Sequence, residues 1–276
     1  CNDPNLNFMF HGRLGLSPRT QNTIYKFYAI VGHANLNAMN IDTRGKSDIS
    51  LRTSADFRRT KKGDIFGDIS LDNIVMQNSE GRYDIGQVKL TSVSKNDTYR
   101  MWLKSAFANG TYTGTAPVTE FVKDLGNITL KRELPSLFAD AGYTWSGNRY
   151  SLDFELEKMQ DLLDFLYPGL YIADNTTISA RINDKGRLTG ALNSQRVAYR
   201  SQYLKDLTFN FNNNDGNVTG ELYSEEIEIA TMKVNDNSFR ILADDDHIGI
   251  GYSYDNQGEL ENRGEFFVHG DLERTG

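Results

Sequence analysis

A repeat with a fixed offset constrains this chain more than any other feature of its sequence. Two segments begin at Gly190 and Gly220 and match at an offset of 30 residues (220 − 190). The matched pairs are Leu192/Leu222, Ser194/Ser224, Val197/Ile227, Tyr199/Ile229, Leu204/Val234, Phe209/Phe239 and Phe211/Ile241. A period in this range is typical of stacked supersecondary units rather than of a closed enzyme core. An earlier segment that starts at Gly67 opens in the same way.

The repeat contains a shift of phase that predicts a bend in each strand. Gly190, Leu192 and Ser194 fall on one parity, whereas Val197 and Tyr199 fall on the other, and the second copy repeats the change. Side chains of a strand alternate between two faces, so apolar residues stay on one side only if a bulge or corner intervenes. Two copies of that corner predict a sheet folded along its length, like a gutter.

Most of the chain reads as strand and turn, with a helical part in the middle. Runs with a period of two fill residues 1–116 and 171–276 and alternate with turns rich in Gly, Asn and Asp. The insert, 117–170, differs: Pro117 opens a short helix, and apolar spacing over 155–167 predicts an amphipathic helix. We expect that helix to cap an open end of the sheet, because its acidic polar face disfavours the alternative of a membrane surface. The predicted fold class is therefore all-β with a small helical insert, in three segments.

Charge and cysteine content exclude some partners and leave others open. The formal net charge of −7 argues against a nucleic-acid backbone as partner. The single cysteine, Cys1, permits no internal disulfide. Cys1 fits either a lipidated mature N-terminus or an internal position in a longer chain, and the strand-like alternation of Leu6, Phe8 and Phe10 favours the second. The sequence lacks an apolar run of about 18 residues, so we expect any membrane anchor to lie outside it.

Motifs for catalysis, metals and cofactors are not found in the sequence. Gly45-Lys46-Ser47 resembles the end of a phosphate-binding loop, but Asn40 stands where the first glycine is required. The four histidines have no ligand spacing, and the acidic turn Asp244–Asp246 does not fit a calcium loop. We therefore expect no catalytic residue, no metal and no cofactor.

Long stretches of the chain resemble the TamB family of AsmA-like envelope proteins. The resembling segments are Tyr28–Ile41, Ser54–Asn78, Asn96–Lys123 and Phe239–Gly270. They are distributed over the stretch from about Phe27 to Gly270 and match best an internal section of the longer form found in gut-type Gram-negative bacteria. The resemblance does not include the N-terminal membrane helix or the C-terminal domain of that family.

The resemblance implies an elongated, half-open β-groove, often called a β-taco, built of stacked antiparallel strands. It implies a periplasmic location, with the parent protein anchored in the inner membrane by a segment absent here. The implied function is phospholipid transport between inner and outer membranes, outer-membrane protein translocation and assembly, or both. The implied partners are phospholipid acyl chains, the rest of a longer chain and an outer-membrane TamA-type barrel.

Apolar residues in the repeated segments are the candidates for the wall of such a groove. They are Ile65, Ile69, Leu71, Ile74, Met76, Leu192, Val197, Leu207, Phe209, Phe211, Leu222, Ile227, Ile229, Phe239, Ile241, Ile248 and Ile250. The residues alone favour a dry sandwich or barrel core, whereas the repeat and the resemblance favour a groove. Parity does not say which side of the sheet is concave.

Two rival interpretations remain open at the level of sequence. A β-sandwich binding module would present Tyr and Trp side chains to a glycan or protein ligand. A piece of an outer-membrane barrel would need uncharged outward bands flanked by aromatic girdles, which frequent Asp and Arg in these strands disfavour.

Overall fold

The computed structural model describes residues 1–16, 23–60, 65–138, 145–213, 216–256 and 262–272. The chain divides into two compact units. Unit 1 comprises Cys1–Thr111 and Leu156–Gly169, and unit 2 comprises Tyr112–Glu155 and Leu170–Gly276.

Unit 1 is built on an antiparallel meander. Its strands are β1 (Asn2–Asp3), β2 (Leu6–Leu16), β3 (Thr23–Asn35), β4 (Ser47–Arg59), β5 (Ile65–Asn78), β6 (Arg82–Lys95) and β7 (Thr98–Ser105). From β2 to β7, each strand pairs with the next along the chain, and β1 pairs with the start of β2. The next strand, β8 (Ala108–Gly114), lies across the boundary between the units.

Unit 2 contains a second antiparallel meander. Its strands are β9 (Tyr150–Leu156), β10 (Leu170–Ile172), β11 (Thr176–Ile182), β12 (Leu188–Tyr199), β13 (Gln202–Asn212), β14 (Val218–Ile229), β15 (Met232–Asp244), β16 (His247–Asp255) and β17 (Arg263–Asp271). Strands β10 and β11 both pair with β12, and pairing then runs in chain order to β17. The expected fold class is confirmed: the chain is mainly β, as an open antiparallel sheet with a small helical part.

The predicted phase shift corresponds to a corner that crosses neighbouring strands of unit 2. Ser194 pairs with Leu207 and the next pair is Arg196 with Lys205, so one residue of each strand is skipped. The same skip recurs between β13 and β14 and between β14 and β15. The skipped residues are Gln195, Asp206, Glu225 and Asp236. Asp206 and Asp236, which are 30 residues apart, both take a positive φ, 47° and 46°, a conformation that Asp tolerates better than most residues.

A corner also crosses the strands of unit 1. The register shifts between Ser50 and Arg52 on β4 and between Leu71 and Ile74 on β5. Asn73, in the second gap, has a φ of 52°. The segment after Gly67 therefore also contains a phase shift, and the bend at this level returns apolar side chains to one face.

The helical part is shorter than its sequence suggests. Helix α1 (Val118–Gly126) follows Pro117 as predicted and continues into a π-helical turn, Asn127–Lys131. A single 3-10 turn covers Pro135–Leu137. Part of the insert, residues 139–144, lies outside the described residues. No helix among the described residues has the length and apolar character needed to cross a membrane.

Helix α2 (Gln160–Leu166) corrects the predicted helix over 155–167. The first residues of the predicted helix are not helical. Strand β9 runs to Leu156, and Lys158 takes a φ of 45°, which does not occur within a right-handed helix. The helix packs against β5 and β6 within unit 1, where the ring of Phe165 meets Tyr83 edge-on at 6.4 Å. This is the kind of contact expected of a helix that caps a sheet. The expected segment boundaries at 116 and 170 stay a prediction.

Candidate functional site

Strand register in unit 2 aligns apolar side chains into rows on one face, which we call the apolar face. Successive partners across six strands form one such row: Leu192, Phe209, Leu222, Phe239, Tyr252 and Phe266. A parallel row, two residues along, contains Gly190, Phe211, Gly220, Ile241, Ile250 and Val268. These rows form because each hairpin keeps the period-two pattern in register with the next.

The opposite face of the same strands is polar. Thr208, Asn210, Glu221 and Arg240 stand between the apolar positions, and Glu221 and Arg240 form an ion pair at 2.8 Å. Its exposed aromatic rings include that of Tyr223, which donates a hydrogen bond to Asp236 at 3.0 Å, and that of Phe267, which is in register with Gly251. From β12 to β15, one face therefore suits water and the other suits hydrocarbon.

Burial shows that the apolar face lies on the inside of the corner. Leu207 and Ile227, which flank the corner on this face, are 7% and 6% exposed. Of the four skipped residues, Gln195, Asp206 and Glu225 are exposed and Asp236 is half-buried. Side chains inside a bend shield one another while those outside spread apart, so the apolar face is the concave one in unit 2.

Buried polar groups complete the corner. The Asn237 side chain is fully buried, and its Nδ2 donates to the carbonyl oxygen of Val234 at 2.7 Å. Its Oδ1 accepts a hydrogen bond from the Tyr252 hydroxyl at 2.9 Å. Ser224 Oγ, also fully buried, lies 2.8 Å from the carbonyl oxygen of Lys205 and bonds to it. The bonds from Asn237 and Ser224 to carbonyl oxygens provide backbone groups near the interrupted ladder with hydrogen-bond partners.

Two glycines let aromatic rings lie flat on the apolar face. A Cβ at Gly190 would overlap the ring of Phe211, and a Cβ at Gly220 would stand 3.2 Å from the ring of Phe209. The two rings stack with centroids 5.8 Å apart. The glycines that open each repeat therefore have a packing role, because they give the rings room beside the backbone.

The structure places the predicted residues in three environments. Ile74, Leu207 and Ile227 are buried at the corners. The half-buried residues are Ile69, Leu71, Met76, Leu192, Val197, Phe209, Phe211, Leu222, Phe239 and Ile248. The exposed residues are Ile65, Ile229, Ile241 and Ile250. Exposure of Ile241 and Ile250, each 48%, means that the described part of unit 2 does not cover this end of the apolar face.

Unit 1 has an apolar face of its own. One row across its strands contains Gly12, Phe27, Ala55, Ile69, Leu90 and Leu103. Phe10 and Leu14 on β2 lie on the same face and are exposed. The predicted residues Ile69 and Leu71 therefore belong to an apolar surface that extends beyond the residues predicted from the sequence.

Several residues of the apolar faces were missed by sequence reasoning. In unit 2 they include Tyr252, Phe266 and Val268, and Tyr252 stacks on Phe239 with centroids 4.4 Å apart. The signal was present for Tyr252, because it shares parity with Ile248 and Ile250 on β16. Burial raises the pKa of the Tyr252 hydroxyl, as expected for a phenol on an apolar surface.

The arrangement can hold an apolar ligand but contains no evident reactive group. Among the described residues, no three His, Cys, Asp or Glu side chains are grouped so as to hold a metal ion. The predicted residues of the site are hydrocarbon or aromatic, so what they offer is contact area.

Comparisons with known proteins give no relative from which to transfer a function. No family model, no curated protein and no solved structure matches this chain.

Proposed function

We propose that this chain is a non-enzymatic scaffold whose apolar faces carry phospholipid acyl chains between two membranes. The observation that supports the proposal most is the pair of apolar rows in unit 2. They run across six strands on the concave side of a corner and keep exposed side chains such as Ile241. A ligand of stretched hydrocarbon fits a surface of this form better than a compact polar ligand does.

Length and energy both agree with an acyl chain. Six strands are separated by five steps of about 4.8 Å, so a row is about 24 Å long. One leaflet of a bilayer core is roughly 15 Å thick, which is the reach of one acyl chain. Each CH₂ moved from water to an apolar surface gains about 0.8 kcal/mol, so a surface that is apolar at every step lets a chain slide without passing through water.

The cellular setting follows from the resemblance to the TamB family. The proposed location is the periplasm, with an inner-membrane anchor elsewhere in a longer chain. Outer-membrane protein translocation and assembly with a TamA-type barrel is the second role that the resemblance implies. An unfolded outer-membrane strand would meet the same apolar rows, since its lipid-facing side chains are also hydrocarbon.

A binding module for glycans is the alternative from a different class. It would need exposed aromatic rings with polar partners around them. The aromatic stack of Phe239, Tyr252 and Phe266 instead lies between aliphatic neighbours such as Leu222 and Ile241. This environment favours hydrocarbon over a hydroxyl-rich ring.

The test is crosslinking to a phosphatidylcholine that carries a diazirine on its acyl chain. We expect Phe209→Asp and Ile241→Asp to reduce crosslinking several-fold, because each places a charge on the apolar face. Asn210→Asp is the matched control, since Asn210 neighbours Phe209 in sequence but is exposed on the polar face. Ile227→Asp suits the test less well, because Ile227 is buried at the corner and its loss would disturb folding.

Circular dichroism of each variant establishes that it folds before crosslinking is compared. Equal crosslinking in the wild type, both apolar-face variants and the control would refute an acyl-chain path on this face.

A further inference from the structure

A pocket of about 430 Å³ lies in unit 2, among residues that the proposed lipid path does not use. We call it the basic pocket. Its lining residues are Ile128, Lys131, Arg132, Pro135, Trp145, Lys185 and Gly186. None of these residues is acidic, in a chain whose formal net charge is −7.

One wall of the basic pocket is anchored by a buried side chain and the other by a hydrogen bond. One wall comes from the π-helical turn Asn127–Lys131, whose widened backbone is often found at functional sites. Ile128 anchors that wall, since it is 1% exposed. The other wall is the turn between β11 and β12, where the buried Asn213 donates from Nδ2 to the carbonyl oxygen of Gly186 at 3.0 Å.

The indole of Trp145 is fixed against the second wall. Its Nε1 donates to the carbonyl oxygen of Asp184 at 2.8 Å, so the polar end of the ring is already satisfied. Glycine is favoured at position 186 for two reasons. A Cβ there would stand 3.2 Å from the ring, and the backbone has a φ of 73°, which other residues rarely adopt. The ring therefore offers the pocket a flat apolar surface.

The charge that the pocket can offer a ligand comes mainly from two lysines. Arg132 forms an ion pair with the buried Glu133, which is adjacent in sequence and does not line the pocket. For Lys131 and Lys185, the described part of the chain provides no carboxylate within ion-pair distance. Two ammonium groups beside an indole ring suit a ligand in which an anionic group is attached to a ring, because the ammonium groups attract the anion and the indole packs on the ring.

We propose that the basic pocket binds a phosphorylated sugar. Lys131 and Lys185 would hold the phosphate by charge-assisted hydrogen bonds, and the face of Trp145 would pack on the sugar ring. Lysine holds phosphate as a compact point charge, so each of the two ammonium groups can make its own contact with the phosphate. The same chemistry is found in a soluble sugar phosphate and in the headgroup of phosphatidylinositol.

The fluorescence of Trp145 provides the readout. The chain has two tryptophans, so Trp102→Phe leaves Trp145 as the single reporter. In that background we expect glucose 1-phosphate to change the emission saturably, and glucose, which lacks the anion, to leave it unchanged. Raised salt should weaken the binding because the contacts are ionic.

Charge removal at the pocket tests the assignment. We expect Lys131→Gln and Lys185→Gln each to weaken binding about tenfold, the effect of losing one charge-assisted contact. Lys104→Gln, at an exposed position on β7 of unit 1, changes the net charge equally and should leave affinity unchanged. Equal affinity in all three variants would overturn the proposal, and so would the absence of saturable binding both to glucose 1-phosphate and to the phosphatidylinositol probe of the second arm.

A second arm separates the two sources of the ligand. Vesicles of phosphatidylcholine with phosphatidylinositol replace the soluble probe, and vesicles of phosphatidylcholine alone are the control. Binding of either probe that weakens in Lys131→Gln and Lys185→Gln supports the pocket and identifies its source. Failure of the lipid path proposed above would show in acyl-chain crosslinking and would leave this titration unaffected.

Discussion

The buried amide of Asn237 provides the sharpest test of the corner in unit 2. Replacing Asn237 with Ala removes the hydrogen bonds from Nδ2 to the carbonyl oxygens of Val234 and Ser224, the second a longer one of 3.4 Å. It also removes the hydrogen bond that Oδ1 accepts from the Tyr252 hydroxyl. These partners belong to the corner region, where the strand ladder is interrupted. The substitution leaves them without their bond in a place that water does not reach freely, since Asn237 is fully buried.

The expected loss of stability follows from those bonds, of which the one to Ser224 is long and contributes least. A typical net hydrogen bond contributes about 1 kcal/mol, and a buried group left unsatisfied costs about 1–3 kcal/mol. We therefore expect Asn237→Ala to lower the free energy of unfolding of unit 2 by about 2–4 kcal/mol. Surface substitutions usually change it by less than about 0.5 kcal/mol, so the matched variant Asn210→Ala on the polar face should be close to neutral.

Urea unfolding measures this difference. In the Trp102→Phe background, the emission of Trp145 reports on unit 2, and the midpoint and slope give the free energy of unfolding. Tyr252→Phe should reproduce part of the loss, because it removes one of the hydrogen bonds of the Asn237 side chain. If Asn237→Ala lost no more stability than Asn210→Ala, the corner would not depend on its buried polar groups and our reasoning about it would be wrong.

Three further predictions concern other parts of unit 2. Gly190→Val should lower the free energy of unfolding by about 1–3 kcal/mol in urea, because the valine side chain would overlap the ring of Phe211. Adding Phe211→Ala should recover part of that loss, and no recovery would contradict the contact. Tyr150→Phe removes a 2.6 Å hydrogen bond to the buried Asp124 and should speed amide hydrogen exchange in α1 about tenfold. Unchanged exchange would show that this hydrogen bond does not stabilise the helix. Burial raises the pKa of Glu133 above its usual 4.5, although a neighbouring arginine lowers it, so the folded chain holds this proton more tightly than the unfolded chain. Stability should therefore fall as pH rises through the window just above 4.5, and Glu133→Gln should flatten that part of the curve; the same slope in both proteins would refute this.

The strands and their bends were predictable because both depend on local pattern. The period of two places Leu192 and Phe209 on one face. The change of parity after Ser194 requires a skipped residue, whatever the strand packs against. The repeat even carries a signal that was overlooked. Asp206 and Asp236 are also 30 residues apart, and both take the positive φ that the corner needs.

Features that depend on contacts across the chain were not predictable in the same way. Apolar spacing extended the helix back to residue 155, but Lys158 adopts a positive φ and β9 takes the preceding residues. Which face is concave became visible only from the burial of Leu207 and Ile227. The basic pocket unites Lys131 and Lys185, 54 residues apart (185 − 131) in the sequence, and no local pattern connects them.

The apolar face of unit 2 as the path of an acyl chain is tested most directly by a photoreactive residue placed on each face. Benzoylphenylalanine replaces Phe239 in one variant and Tyr223 in the other; the two positions lie on neighbouring strands and point to opposite faces. After irradiation with phosphatidylcholine vesicles, mass spectrometry detects the covalent lipid adduct. We predict an adduct at position 239 and little or none at position 223. Equal adducts at both positions, or none at position 239 in a folded variant, would contradict the account.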